Sequence, residues 1–274
     1  MLVNGIDIIK KANQKGYALP AYNINNLEWT KYILEACNVD NIPVILAASP
    51  SAINYMGGYK VVYNLVTSLI EDLKIKIPVI LHLDHGKSFE ECKKAIDNGF
   101  TSVMIDLSDK PFEKNVEITK KVVKYAKDKK VSVEAELGSL DGYTNIDECL
   151  AFVSETGVDV LAPAVGNKHG IYKKSDNIDF KLLASIAKIV KIPLALHGAS
   201  GLDENKIKTA IFCGVSKINI NTDLQLIWSK SVRKYLNDNK DEYDPRRIIG
   251  AAEGMIKSMV HYKNELFSSK DKTF

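Results

Sequence analysis

The sequence predicts an α/β fold, a single (β/α)8 TIM barrel over residues 1–274 with a helical extension at its C-terminal end. Two features of the pattern carry that prediction. Eight short runs rich in β-branched and apolar residues recur along the chain, separated for the most part by longer segments with helical spacing. The runs are also apolar nearly throughout instead of alternating, as strands covered on both faces must be. The length agrees, since 274 residues fit one barrel of ordinary size and need no second domain.

The runs in order begin with YALPAYNI (17–24), IPVILAAS (42–49), IPVILHLD (77–84) and FTSVMIDL (100–107). VSVEAEL (131–137), VDVLAPAV (158–165), IPLALHG (192–198) and VSKINI (215–220) complete the set. Between them, helical spacing links Leu27, Tyr32, Leu34 and Ala36, then Val61, Leu65 and Leu69, and later Ile178, Leu182, Ile186 and Ile189. Three runs open on an Ile-Pro pair, at Pro43, Pro78 and Pro193, and this points to a repeated unit. Proline as a strand's first residue loses no ladder hydrogen bond. An open doubly wound sheet is the competing architecture, but its first turn would fall at residues 21–27, which contain no glycine and hence no dinucleotide fingerprint. After the eighth run comes a long helical tail, broken at Pro245, with residues 250–259 resuming helical spacing. Such a tail can cap the barrel or serve a subunit contact.

Composition removes several classes. An apolar content of 46% with 26% charged residues suits a soluble protein with a large core and excludes disordered and fibrous chains. The net charge of +3 reflects lysine-rich helices; the densest basic segment, residues 120–130, carries Val122, Val123 and Ala126 on one side and reads as a solvated helix face. No nucleic-acid partner is expected. Cys37, Cys92, Cys149 and Cys213 lie far apart with no CxxC pair, and no secretory leader precedes the first polar residues, so a reduced, cytoplasmic setting with packing thiols is expected. No apolar stretch approaches the roughly 20 residues that span a bilayer, so no membrane partner is expected either.

In a barrel the chemistry sits at the carboxyl ends of the strands. Here those ends read Asn23, Ser49, Asp84 with His85, Asp106, Glu136, His169, His197 and Asn219. Of five histidines, His85, His169 and His197 follow the third, sixth and seventh runs. Three neutral imidazoles from separate strands would leave coordination positions open, as a catalytic zinc requires, and the alternative is three hydrogen-bonded histidines without metal. His82 alternates with Asp84 on one strand face but lies deeper, which fits a packed residue or one behind the ligands; His261 lies in the tail. Asp106 and Glu136 are candidates for a second metal position, for hydrogen bonds to ligating imidazoles, or for a structural salt bridge. Gly170 and the segment Gly198-Ala199-Ser200-Gly201 bare the backbone beside two candidate ligands. With Asn219 and Thr222 they have the chemistry of a barrel phosphate site, against an alternative of ordinary turns.

The motifs HLDHG (82–86), SVMIDLS (102–108), VEAELG (133–138), GNKHGIY (166–172), HGASGL (197–202), KININTD (217–223) and YDPRR (243–247) resemble those of class II ketose-bisphosphate aldolases, over nearly the whole chain. The resemblance implies Zn2+ on His85, His169 and His197, and Asp84 as the acid/base for the C4 hydroxyl. It implies that Gly170, Gly198, Ser200, Asn219 and Thr222 receive the phosphate of dihydroxyacetone phosphate, with Asn23 in the substrate-binding set. Ser49 looks like the family serine near the carbonyl. Arg246 looks like the arginine that meets the far phosphate from a neighbouring subunit, and so implies a homo-oligomer, dimer or tetramer. Asn221 resembles the fructose-type enzymes more than the tagatose-type, which tend to have alanine there. The implied reaction is reversible cleavage of a sugar phosphate such as fructose 1,6-bisphosphate to dihydroxyacetone phosphate and glyceraldehyde 3-phosphate, with tagatose bisphosphate or another ketose 1-phosphate as alternative.

One departure stands out. The family's loop after the fifth strand is long, glycine-rich and acidic, and carries the carboxylate that exchanges the second proton. Here it is only residues 138–145, with Asp141 as the one acid before Asp147. A zinc-containing sugar-phosphate binder that has lost turnover is therefore a competing reading. Two other enzyme classes explain less. A Schiff-base aldolase has Lys217 as its only strand-interior lysine and accounts for none of the histidines, and a metal-dependent hydrolase commonly opens on a His-x-His pair where this chain has Ala21-Tyr22-Asn23.

Overall fold

A computed structural model describes residues 1–138, 142–168, 170 and 178–269. Eight parallel strands close into a barrel in chain order: β1 (Leu19–Asn23), β2 (Val44–Ala48), β3 (Val79–Gly86), β4 (Ser102–Ile105), β5 (Ser132–Leu137), β6 (Val160–Pro163), β7 (Leu194–Leu196) and β8 (Val215–Ile220). The predicted barrel is thus observed, with most strands shorter than their sequence runs. Pro43, Pro78 and Pro193 stand one residue ahead of their strands, not at the first strand residue as expected. Lacking an N–H, each leaves the ladder to start at the next residue, yet the Pro78 and Pro193 carbonyls still accept from Val44 and Leu161 at 3.1 Å.

Alternation along the strands creates two apolar zones. Facing inward, Leu19, Ala21, Ile45, Ile80, Met104, Val160, Ala162 and Ala195 join Ile8, Ile9 and Ala12 of α1 (Ile6–Lys15) in one buried cluster. The amino-terminal helix therefore closes the barrel floor. The opposite strand faces, including Leu46, Leu81, Val103, Ala135, Leu161 and Ile218, belong to the larger cluster under the helices.

The helical spacing is correct in type and partly wrong in phase. In α4 (Tyr59–Asp72) the buried residues are Val62 and Val66, whereas Val61 is 47% exposed. Neighbouring valines make the two phases nearly equal in sequence, and the docking of the helix chooses between them. In α8 (Phe180–Val190) Leu183, Ile186 and Val190 are buried and Ile189 faces out; in α2 (Leu27–Val39) Tyr32, Leu34 and Ala36 are buried but Leu27 is exposed.

The tail comprises α10 (Thr222–Asp238), α11 (Pro245–Gly250) and α12 (Glu253–Leu266). Pro245 does not break a helix. It opens α11, where a missing N–H costs nothing, and the Asp244 carboxylate caps the Arg246 N–H. Helix α12 lies on the outer wall against α2, anchored where Tyr22 Oη donates to Asn264 Oδ1 at 2.8 Å and Asn264 Nδ2 donates to Asp40 Oδ2 at 2.8 Å. His261 Nδ1 lies 2.8 Å from the same Asp40 oxygen, which accounts for the tail histidine structurally. Cys37, Cys92 and Cys149 are buried, Cys213 is half-buried, and all four are free thiols. Among the described residues no helix is long and apolar enough to cross a membrane.

Candidate active site

Asp84 and His85 are adjacent in sequence, so a regular strand would turn them to opposite faces. A bulge in β3 prevents this. Leu83 pairs with Val103 and Gly86 with Ile105, so two residues of β3 oppose the single Met104 of β4. His85 absorbs the extra residue at φ 54°, in the left-handed region that a side chain adopts only under constraint. The next residue has to be glycine, because a Cβ on Gly86 would sit 2.9 Å from the Met104 carbonyl oxygen.

The result is a convergence of nitrogens. His85 Nε2 lies 3.0 Å from His197 Nδ1, with the two rings at 77°. Each ring is fixed from behind. His85 Nδ1 is 2.8 Å from Asp106 Oδ2 and 3.5 Å from Glu136 Oε2, while His197 Nε2 is 2.7 Å from Glu134 Oε1. Two imidazole nitrogens bound to one tetrahedral zinc stand about 3.3 Å apart, and ligating imidazoles commonly have carboxylates on their remote nitrogens. Asp84 Oδ1 lies 4.0 Å from His85 Nε2, close enough to join the same group. The donor set fits a divalent cation. His169, the third expected ligand, lies outside the described residues, as does Asp141.

Electrostatics follow from this crowding. Burial opposes charge on His85, but Asp84, Asp106 and Glu136 outweigh it and raise its pKa to about 9. Burial and the neighbouring Asp106 charge push Glu136 up to about 8. Asp84 is held below the usual carboxylate range despite burial, because His85, His197 and Lys217 surround it with positive charge. Its oxygens accept from Asn23 Nδ2 at 2.8 Å and from Asn219 Nδ2 at 3.1 Å.

Lys217 orders this floor. It is fully buried, donating to Glu134 at 2.8 Å and to Asn219 Oδ1 at 2.9 Å. An ammonium has only donors, so it fixes the Asn219 oxygen and turns the amide N–H towards Asp84. Lys217 is thus held by Glu134 and Asn219 together. Burial would raise the Glu134 carboxyl, but Lys217 and His197 hold it well below its ordinary range. His82 sits in the interior with Nδ1 2.8 Å from Ser102 Oγ; burial, then Lys217, lowers its pKa to about 3. Glu134 escaped the sequence reading although its period-two spacing from Glu136 places both carboxylates on one strand face.

A cavity of about 210 Å³ opens above these groups, lined by Asn23, Ser49, Asp84, His85, Gly170, His197, Gly198, Ser200, Asn219, Asn221 and Thr222. The structure therefore gathers all the described candidates except Arg246 and the carboxylates Asp106 and Glu136, which stand behind His85. Thr222 begins the 17-residue helix α10, whose N-cap residue Asn221 makes no side-chain cap bond; instead Ser200 Oγ accepts from the N–H groups of Asn221 and Asp223. This helix start lies beside Gly198 and Gly170, at φ 66° and 96°, where the positive end of the helix dipole and the bare glycine backbone favour an anion. Ser49 caps the short helix α3 (Pro50–Met56) at the cavity edge. Arg246 lies elsewhere, 89% exposed and paired with Asp244 at 2.8 Å.

Comparison with known proteins places this geometry in context. The family model for class II fructose-bisphosphate aldolase matches residues 3–272. A fructose-bisphosphate aldolase from Staphylococcus epidermidis is 48% identical over 282 positions, covering 99% of both chains. One from Geobacillus stearothermophilus is 47% identical, covering 99% of this chain and 98% of its own. The alignments exceed the 274 residues present here, so those relatives carry residues this chain lacks. Among solved structures, the YdjI aldolase of Escherichia coli K12 superposes with a TM-score of 0.89 at 32% identity, covering 100% of both chains.

Proposed function

This chain belongs to the class II fructose-bisphosphate aldolase family, and from that premise we propose that it cleaves a ketose bisphosphate reversibly, fructose 1,6-bisphosphate first among them, with Zn2+ as its metal. The observation that carries the proposal is the pair His85 Nε2 and His197 Nδ1, 3.0 Å apart beside Asp84 on the wall of a cavity that the start of α10 borders. His85 and His197, joined by His169, would hold the ion, which supplies Lewis-acid polarisation of the ketose carbonyl when bound.

The chain's own residues account for the remaining work. Asp84, ionised and oriented by Asn23 and Asn219, accepts the C4 hydroxyl proton as the bond between C3 and C4 breaks. Ser200, Gly198, Gly170 and the start of α10 receive the phosphate and set the substrate's register over Asp84. Ser49 borders the cavity where the carbonyl end would lie. Asp141, the one acid between Glu136 and Asp147, is a candidate for the second proton exchange that the longer family loop serves, with another group or a different substrate as the alternatives. Arg246, exposed on its own subunit, would serve a neighbouring active site in a dimer or tetramer. A cytoplasmic location fits the free thiols.

The short segment at residues 138–145 favours one second reading, a sugar-phosphate binder with lost turnover. A coupled assay for glyceraldehyde 3-phosphate release from fructose 1,6-bisphosphate separates the two. The aldolase reading expects cleavage that chelation abolishes and zinc restores. A fully active metal-free preparation would overturn it, and tight binding of a dihydroxyacetone phosphate analogue without cleavage would favour the binder.

A further inference from the structure

Behind the candidate metal ligands lies an acidic group with an unusual occupant. Asp106 and Glu136 are both buried, and with His85 they could hold a second cation. Asp106 is already saturated. Its Oδ1 accepts from the Ser108 N–H at 3.2 Å and the Ser108 hydroxyl at 2.7 Å, and its Oδ2 meets His85 Nδ1 at 2.8 Å and Lys87 Nζ at 2.5 Å. A carboxylate offers about four acceptor positions, so any further ion at Asp106 must displace a donor. Glu136 is the converse: its Oε2 is buried without a hydrogen-bond partner among the described residues and sits 3.5 Å from His85 Nδ1.

Lys87 does not arrive there by chance of a loose surface chain. Its backbone is fixed at the start of α5 (Phe89–Asp97) by a reciprocal box in which Ser88 Oγ accepts from the Glu91 N–H and Glu91 Oε2 accepts from the Lys87 N–H at 2.6 Å. From there the side chain delivers its ammonium to the buried carboxylate, while as a whole it stays 57% exposed.

We infer that Lys87 is a built-in cation that occupies the His85–Asp106–Glu136 group and keeps a second divalent ion out, so that the chain holds one ion per active site. The inference rests on the metal reading of His85 and His197 given above. Through Asp106 the same ammonium also keeps a carboxylate aimed at His85 Nδ1, which makes Lys87 a positioning residue for the ligand's tautomer.

The test counts metal. Wild-type protein, Lys87→Met and Lys87→Arg are stripped with chelator, titrated with Zn2+ and, separately, with Co2+, and bound metal is measured after gel filtration; circular dichroism checks the fold of each. Wild type should saturate at about one equivalent, Lys87→Met should take up about one more, and Lys87→Arg should return to about one. A single equivalent in Lys87→Met, two in wild type, or two in Lys87→Arg each overturns the inference. Failure of wild type to bind even one equivalent would overturn the metal reading itself, a distinct result, and this inference with it.

Discussion

Glu134→Gln is the most informative single change at the base of the site. Its carboxylate receives His197 Nε2 at 2.7 Å and Lys217 Nζ at 2.8 Å, all three groups being buried. Glutamine keeps the size but presents one oxygen and one amide N–H group. If the oxygen stays on His197, the amide faces the ammonium donor to donor; if it turns to Lys217, His197 loses its acceptor and its preferred tautomer. Losing a carboxylate behind a ligating imidazole costs about 10–100-fold in metal affinity, equivalent to about 1.4–2.7 kcal/mol. Leaving a buried lysine without its counter-charge costs roughly 3–5 kcal/mol of folding stability. Zinc competition with a chromophoric chelator measures the first and urea unfolding of the metal-free protein the second. The double variant Glu134→Gln with Lys217→Met removes the stranded charge, so it should regain much of the stability but not the metal affinity. Metal affinity within twofold of wild type, with an unchanged unfolding midpoint, would refute the reasoning.

Two further outcomes follow from the same geometry. Asp84→Asn keeps the shape of the acid/base but removes its basicity, so turnover of fructose 1,6-bisphosphate should fall by about 10²–10⁴-fold while zinc content stays at the wild-type level; near-normal kcat would reassign the C4 proton. In the metal-free protein His85 has a pKa raised to about 9 from an ordinary 6.5, so its charge contributes stability fully present below pH 6.5 and lost as pH rises through 9. Glu136, raised to about 8, acts in the same direction, because its ionisation in the folded state costs energy that the unfolded chain does not pay. Urea unfolding should therefore give lower stability at pH 9 than at pH 6.5, by at most roughly 3 kcal/mol from His85. A flat or rising profile would contradict the carboxylate crowding around that ring.

Much of the site was legible because barrel geometry turns strand order into position. Asn23, Ser49, Asp84, His85, His197 and Asn219 were all readable as strand-end residues, and all of them line the cavity. The phosphate-side glycines and Ser200 were readable from the same loops. Glu134 and Lys217 were harder. Their chemistry depends on a pairing between residues 83 apart in sequence, and a buried charge looks unpaired until its partner strand is in place. Arg246 matched a motif, but a motif gives no direction, and here the side chain points into solvent.

By itself the sequence determined the element types and the barrel, because period and run length are local properties of the chain and eight apolar strands have to bury both faces. It also determined which loops hold the reactive groups. Only the tertiary structure decided the rest. Barrel closure chose the buried phase of α4, placed α1 at the barrel floor, and put a bulge in β3 so that two consecutive residues share one face. Lys217, Glu134 and Asn219 acquired their roles in the same way. These outcomes depend on contacts between residues distant in sequence, and the energies of such contacts appear only when the interior excludes water and leaves each buried charge to its neighbours.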